Sequence, residues 1–117
     1  MRSIKLQKTR LTNSQVPEDF EFNYRKELLR LVEILPEGAA ITAMKEALKA
    51  QEILSSASDE ATIFFEDSTW EFVRAKVNAE KWRFVAKELV AFNNAINDAP
   101  ECEAPHLKQE KTMAAGA

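Results

Sequence analysis

Histidine and cysteine do most nucleophilic, acid–base and metal chemistry near neutral pH, and this sequence has one of each, Cys102 and His106. They stand four residues apart in a polar C-terminal stretch without hydrophobic periodicity. A Ser-His-Asp or Cys-His arrangement needs its histidine held in a folded site, and a zinc centre needs four ligands. This pair supplies neither. Four carboxylates, Asp59, Glu60, Glu66 and Asp67, flank the run Thr62–Phe65. Their spacing matches no calcium loop, and the glycine such a loop turns on is missing. Glu66 and Asp67 more simply complement the N-terminus of a following helix. Two glycines in 117 residues leave no glycine-rich phosphate loop. The expectation is a non-enzyme with no catalytic residue, no cofactor and no metal.

Two further groups of residues point to binding. Arg2, Lys5, Lys8 and Arg10 put four positive charges and no acid into the first ten residues. They are a candidate anion-binding arm, or an edge strand protected by lysine against pairing with other chains. Aromatic side chains form the second group. Phe20, Phe22 and Tyr24 alternate with Glu21 and Asn23, and Phe84 stands two residues from Trp82, off the helical stripe drawn below. Phe20, Phe22, Tyr24 and Phe84 are therefore candidate partner-binding residues, since exposed aromatics gathered into a patch mark contact surfaces.

These residues need elements to hold them. Ile4 and Leu6 alternate with polar neighbours, predicting a half-buried strand over 2–8. The loop 12–19 leads to a second strand at 20–24, which closes a hairpin on the first. Asn23 is the expected N-cap of a helix over 24–35, with Leu28, Leu31, Val32 and Leu35 on its apolar stripe. Pro36 and Gly38 end it. A second helix is expected over 39–55, with Ile41, Met44, Ala47 and Leu48 facing the core and Ala40, Ala43 and Ala50 letting a neighbour come close. Thr62–Phe65 fits a short third strand, since a two-stranded ribbon is marginal alone, or equally an extended plug under the helices.

Ser68–Asp98 has the longest helical pattern. Ser68 and Glu71 fit a capping box, and Trp70, Val73 and Val77 form a stripe. Asn78 interrupts it, and a fresh helix from Glu80 carries Trp82, Val85, Ala86, Leu89, Phe92, Ala95 and Ile96. Asparagine favours caps over helix interiors, so two helices hinged at 78–79 are expected rather than one rod. Pro100 ends the element. The architecture is α+β and mainly α: about four helices with a small N-terminal β-hairpin. Residues 1–99 form one compact domain, and 100–117 form a flexible tail.

A chain of this length holds one core. The first residues lack the apolar stretch of a secretory signal, and nowhere do 18 apolar residues run together. The protein is expected in the cytoplasm, with no membrane partner. A net charge of −3 makes nucleic acid an unpromising partner, because dedicated binders are clearly basic.

A basic N-terminal strand followed by helices, closing on Trp82-Arg-Phe-Val-Ala-Lys-Glu-Leu-Val-Ala-Phe-Asn-Asn-Ala-Ile, resembles the small morphogenesis proteins of tailed bacteriophages, of the tail assembly chaperone or virion accessory type. The resemblance covers residues 1–98. It implies a non-enzymatic protein that binds other phage components, tail or capsid, during virion assembly, in the host cytoplasm or the virion itself. Self-association is compatible with it. The alternative is a small nucleic-acid-associated regulator using the basic N-terminal arm.

Overall fold

A computed structural model describes residues 1–35 and 38–102. The chain runs β1 (Arg2–Lys5), β2 (Lys8–Thr9), β3 (Phe22–Asn23), α1 (Tyr24–Val32), α2 (Ile41–Ser56), β4 (Thr62–Phe65), α3 (Asp67–Ala79) and α4 (Lys87–Asn97). Four helices with short antiparallel pairings at the N-terminus make the fold α+β and mainly α, as the sequence predicts. Among the described residues no helix is long and apolar enough to cross a membrane.

The N-terminal segment pairs twice. Lys8 and Thr9 meet Asn23 and Phe22, which is the expected hairpin reduced to two residue pairs. The longer pairing joins β1 to β4, with Ile4 opposite Ile63 and Arg2 opposite Phe65. Ile4, Leu6, Ile63 and Phe65 are buried, so the period of two in both segments turns one face of the ribbon to the core. Residues 100–102, assigned above to the tail, run along β1: the Ser3 amide donates to the Pro100 carbonyl and the Cys102 amide to that of Met1. The rest of the expected tail, from residue 103, lies outside the described residues.

The α1 helix follows its sequence signals. The Asn23 side-chain oxygen accepts from the Lys26 amide, and Leu28, Leu31 and Val32 are buried. It stops at Val32, short of the expected Leu35, and Gly38 holds a φ of +78°, a conformation most residues avoid.

Three expectations are corrected by tertiary contacts. First, α2 is turned about its axis. Ala47 faces the core and Ala50 allows close approach as expected, with Leu54 beside them, but Ile41, Met44 and Leu48 are exposed. Alanines let α2 approach α1 and α3 closely, and larger side chains would hold the helices apart. Second, α3 starts two residues early: its N-cap is Glu66 rather than the expected Ser68, and no side chain caps it. The Ser68 and Thr69 hydroxyls donate instead to Glu46 of α2, the latter at 2.6 Å, while Glu71 pairs with Arg74. Third, no helix begins at Glu80. Residues 80–86 form a connection, and α4 starts at Lys87.

Trp82 explains that connection. Its ring lies 6.1 Å from Phe92 and 6.1 Å from Phe22, both edge-on. Ten residues of α-helix would separate Trp82 from Phe92 by about 15 Å along the axis. Helix over 80–86 and a shared aromatic cluster are incompatible, and the cluster wins. Phe22, Tyr24 and Phe92 complete it, with centroids 4.8 to 5.9 Å apart. At the hinge, Asn78 remains helical, and its side chain exchanges hydrogen bonds with Asn97 and accepts one from Asn93, tying α3 to α4.

Candidate interaction surface

The four aromatic candidates separate by burial. Phe22 and Tyr24 are each 2% exposed and belong to the core cluster, so they are not available to a partner. Burial raises the Tyr24 hydroxyl above its usual pKa, against a smaller lowering by its hydrogen bond with Gln7. Phe20 and Phe84 remain exposed, at 42% and 39%. Far apart in sequence, they line the same groove of about 370 Å³, with Leu11, Trp82 and Leu89. A second groove of about 510 Å³ shares Trp82, Phe84 and Leu89 with the first and continues over Val85 and Val90. Together they make one face across the 80–86 connection and the outer side of α4, apolar over Val85 and Val90 and mixed with Glu27, Arg30, Glu80, Lys81 and Arg83 in the first groove. Val85 is its most prominent member, 89% exposed.

This face is held from below and from the side. Trp82 is anchored in the aromatic cluster. Glu88 accepts from the Thr12 amide at 2.6 Å and from the Thr12 hydroxyl at 2.9 Å, and the Asn13 side chain donates to the Val85 carbonyl. The Thr12 amide, with its hydroxyl, holds the Glu88 carboxyl below its usual pKa. The loop before β3 is thereby clamped to the loop before α4, which sets Phe20 beside Phe84. At the rim, Arg30 lies between Glu27 at 2.7 Å and Glu80 at 2.6 Å. Burial works to lower the Arg30 pKa, but hydrogen bonds to the two carboxylates outweigh it and raise it.

The exposed stripe on α2 is a second apolar surface, missed because the larger apolar residues of an amphipathic helix ordinarily face inward. Ile41, Met44 and Leu48 recur at helical spacing along it. Near the start of α2, Ile34, Leu35, Ala43 and Phe72 line a groove of about 540 Å³. Helix α3 packs against α1, α2 and α4.

The basic residues at the N-terminus are not assembled into an arm. The Arg2 guanidinium lies 4.3 Å from the Trp70 ring centroid, donates to the Ala99 carbonyl and pairs with Glu101. Lys5 donates to the Glu60 carbonyl, and Lys8 pairs with Glu60 at 3.9 Å. Arg10 is exposed and, among the described residues, has no ion pair. The carboxylates around β4 pair separately as well. Asp59 meets Arg25, Glu60 meets Lys8, Glu66 meets Lys49, and Asp67 meets the Met1 amino group. Among the described residues no three His, Cys, Asp or Glu side chains are grouped to hold a metal. Cys102 is a free thiol, and His106 lies outside the described residues.

Comparison with protein-family models, curated proteins and solved structures gave no match.

Proposed function

We propose that this chain is a non-enzymatic protein–protein interaction protein, a structural or assembly factor of bacteriophage morphogenesis that acts in the host cytoplasm or the virion. The observation that carries the docking part is the face formed by Phe20, Trp82, Phe84, Val85 and Val90. It is exposed and largely apolar over the second groove, and its Trp82 is anchored on the buried rings of Phe22 and Phe92. Trp and Phe anchored in this way are the residues that dominate binding energy at interfaces. The outward stripe of α2 adds a second surface for a protein partner, as an assembly factor with more than one neighbour requires. The phage setting rests on the sequence resemblance, to which α4 contributes its Lys87–Ile96 portion.

Support for the nucleic-acid alternative is weaker, because Arg2, Lys5 and Lys8 are engaged within the chain. The test is capture of purified proteins encoded beside this gene, using wild type, Phe84→Asp and Leu48→Glu. The reading expects a tail or capsid component to bind wild type and at least one variant to lose it with the fold intact. Absence of binding to any neighbouring product, with salt-sensitive binding to DNA, would replace this reading with the alternative.

A further inference from the structure

We propose that the outer edge of β4 is a docking site for an extended, basic-ended segment of a partner protein, which adds to the sheet as a further strand. This edge is separate from the docking face above: its groove shares no lining residue with those of the aromatic face.

Hydrogen-bond parity identifies the edge. The Leu6 amide donates to the Ala61 carbonyl, and in the same register Ile4 meets Ile63 and Arg2 meets Phe65. Bonded pairs recur at every second residue of an antiparallel ladder, so Ala61, Ile63 and Phe65 turn their main-chain groups to β1. Thr62 and Phe64 turn theirs the other way. On the far side of β1 the parity is the same, since the Ser3 amide, pointing away from β4, donates to Pro100. β1 is therefore paired on both sides and β4 on one. Among the described residues no main-chain group pairs with the outward amides and carbonyls of Thr62 and Phe64.

Groove and charge name the occupant. Ile53, Ser56 and Ala57, at the end of α2, line a groove of about 460 Å³ with Thr62, Ile63 and Phe64. Among the described residues no charged side chain lines it. In strand addition the main-chain bonds supply affinity, and pockets for alternate side chains supply selectivity. Both ends of β4 are acidic, with Asp59 and Glu60 before it and Glu66 and Asp67 after it. The Glu60 and Glu66 side chains are 70% and 65% exposed, and their cations stand at 3.9 and 4.0 Å. Apolar residues between lysine or arginine ends complement this arrangement. The strand already on β4 has that character, with Arg2, Lys5 and Lys8 around Ile4 and Leu6.

The test is amide hydrogen exchange of the full chain, read residue by residue by NMR, with the peptide Lys-Thr-Val-Thr-Val-Thr-Lys. Without peptide, the Thr62 and Phe64 amides are expected to exchange faster than those of Ile63 and Phe65. Saturating peptide is expected to slow Thr62 and Phe64 by about tenfold or more. A peptide with glutamate in place of both lysines is expected to bind about tenfold more weakly at low salt. Thr62→Pro removes one outward amide at the first residue of an edge strand, where proline is tolerated. It is expected to abolish the protection of Phe64, while Thr62→Val, which keeps the amide, binds as wild type does. Should Thr62→Pro lose its circular dichroism signature, Glu60→Lys with Glu66→Lys replaces it and is expected to prefer the glutamate-ended peptide. Slow exchange at Thr62 and Phe64 before peptide is added, no slowing with peptide, or unchanged binding by a well-folded variant would overturn the proposal. The docking reading is judged separately: a chain that captures a neighbouring gene product through Phe84 and leaves this peptide unbound keeps that reading and loses this site.

Discussion

Phe84 and Phe92 are the same residue type eight positions apart, and truncating each to alanine should give very different results. Phe92 is fully buried and has Phe22, Tyr24 and Trp82 around its ring at 4.8 to 6.1 Å. Phe92→Ala removes the ring from water-free surroundings and leaves a cavity, at a cost of about 3–5 kcal/mol. Three edge-on contacts, each worth roughly 0.5–1.5 kcal/mol beyond its area, place it at the upper end of that range. A domain of this size has a total stability on the order of 5–15 kcal/mol, so the loss is a large part of the whole. Phe84→Ala touches a half-exposed ring on the connection and should stay within about 0.5–1 kcal/mol of wild type. Urea titration followed by circular dichroism and tryptophan fluorescence reads both. Equal losses would refute the reasoning, since Phe84 would then be a core residue and not a docking one.

Other outcomes follow from the same contacts. Leu48→Glu, on the outer face of α2, should leave the melting temperature almost unchanged, while Ala50→Leu, on the inner face, should lower it by overpacking worth about 1–3 kcal/mol; thermal denaturation separates them. Glu46 has its carboxyl pKa lowered chiefly by the Thr69 hydroxyl; burial opposes this, and Lys49 and the Ser68 hydroxyl add to the lowering. A carboxylate whose pKa is lower folded than unfolded contributes stability above its unfolded value, lost as pH falls through the folded one. Acid titration should therefore show a loss beginning below the ordinary 4.5, and Glu46→Gln should flatten that part of the curve. Arg2→Gln removes a cation facing Trp70 and an ion pair to Glu101, and should release 100–102 from β1, seen as faster hydrogen exchange at the Ser3 and Cys102 amides.

What could be read from the sequence was whatever local chemistry decides. Asn23 caps α1 because an asparagine before an apolar stripe satisfies an amide that has no other partner. Ile4, Leu6, Ile63 and Phe65 alternate because strands do, and the Thr62–Phe65 pairing follows. Sequence reading failed where two local solutions compete and a distant contact chooses between them. Helix α2 carries a stripe of large apolar residues and a stripe of alanines, and hydropathy favours burying the first. Close approach to α1 and α3 selects the second. Ser68 and Glu71 fit a capping box, yet Glu46, distant in sequence, takes the Ser68 and Thr69 hydroxyls. Residues 80–86 have helical periodicity, but Trp82 reaches Phe22 and Phe92 only when the helix is broken. Phe20 and Phe84 were identifiable singly as aromatics off a core pattern. Their shared groove was not, because it depends on Thr12 and Asn13 clamping one loop to another.

Photo-crosslinking from position 85 tests the central claim most directly. A photoreactive phenylalanine analogue in place of Val85, the most exposed member of the aromatic face, is expected to capture a purified product of a neighbouring gene on illumination. The same analogue at exposed Ser58, in the turn before β4, is expected to capture none. Equal capture from both positions, or none from position 85, would contradict the account.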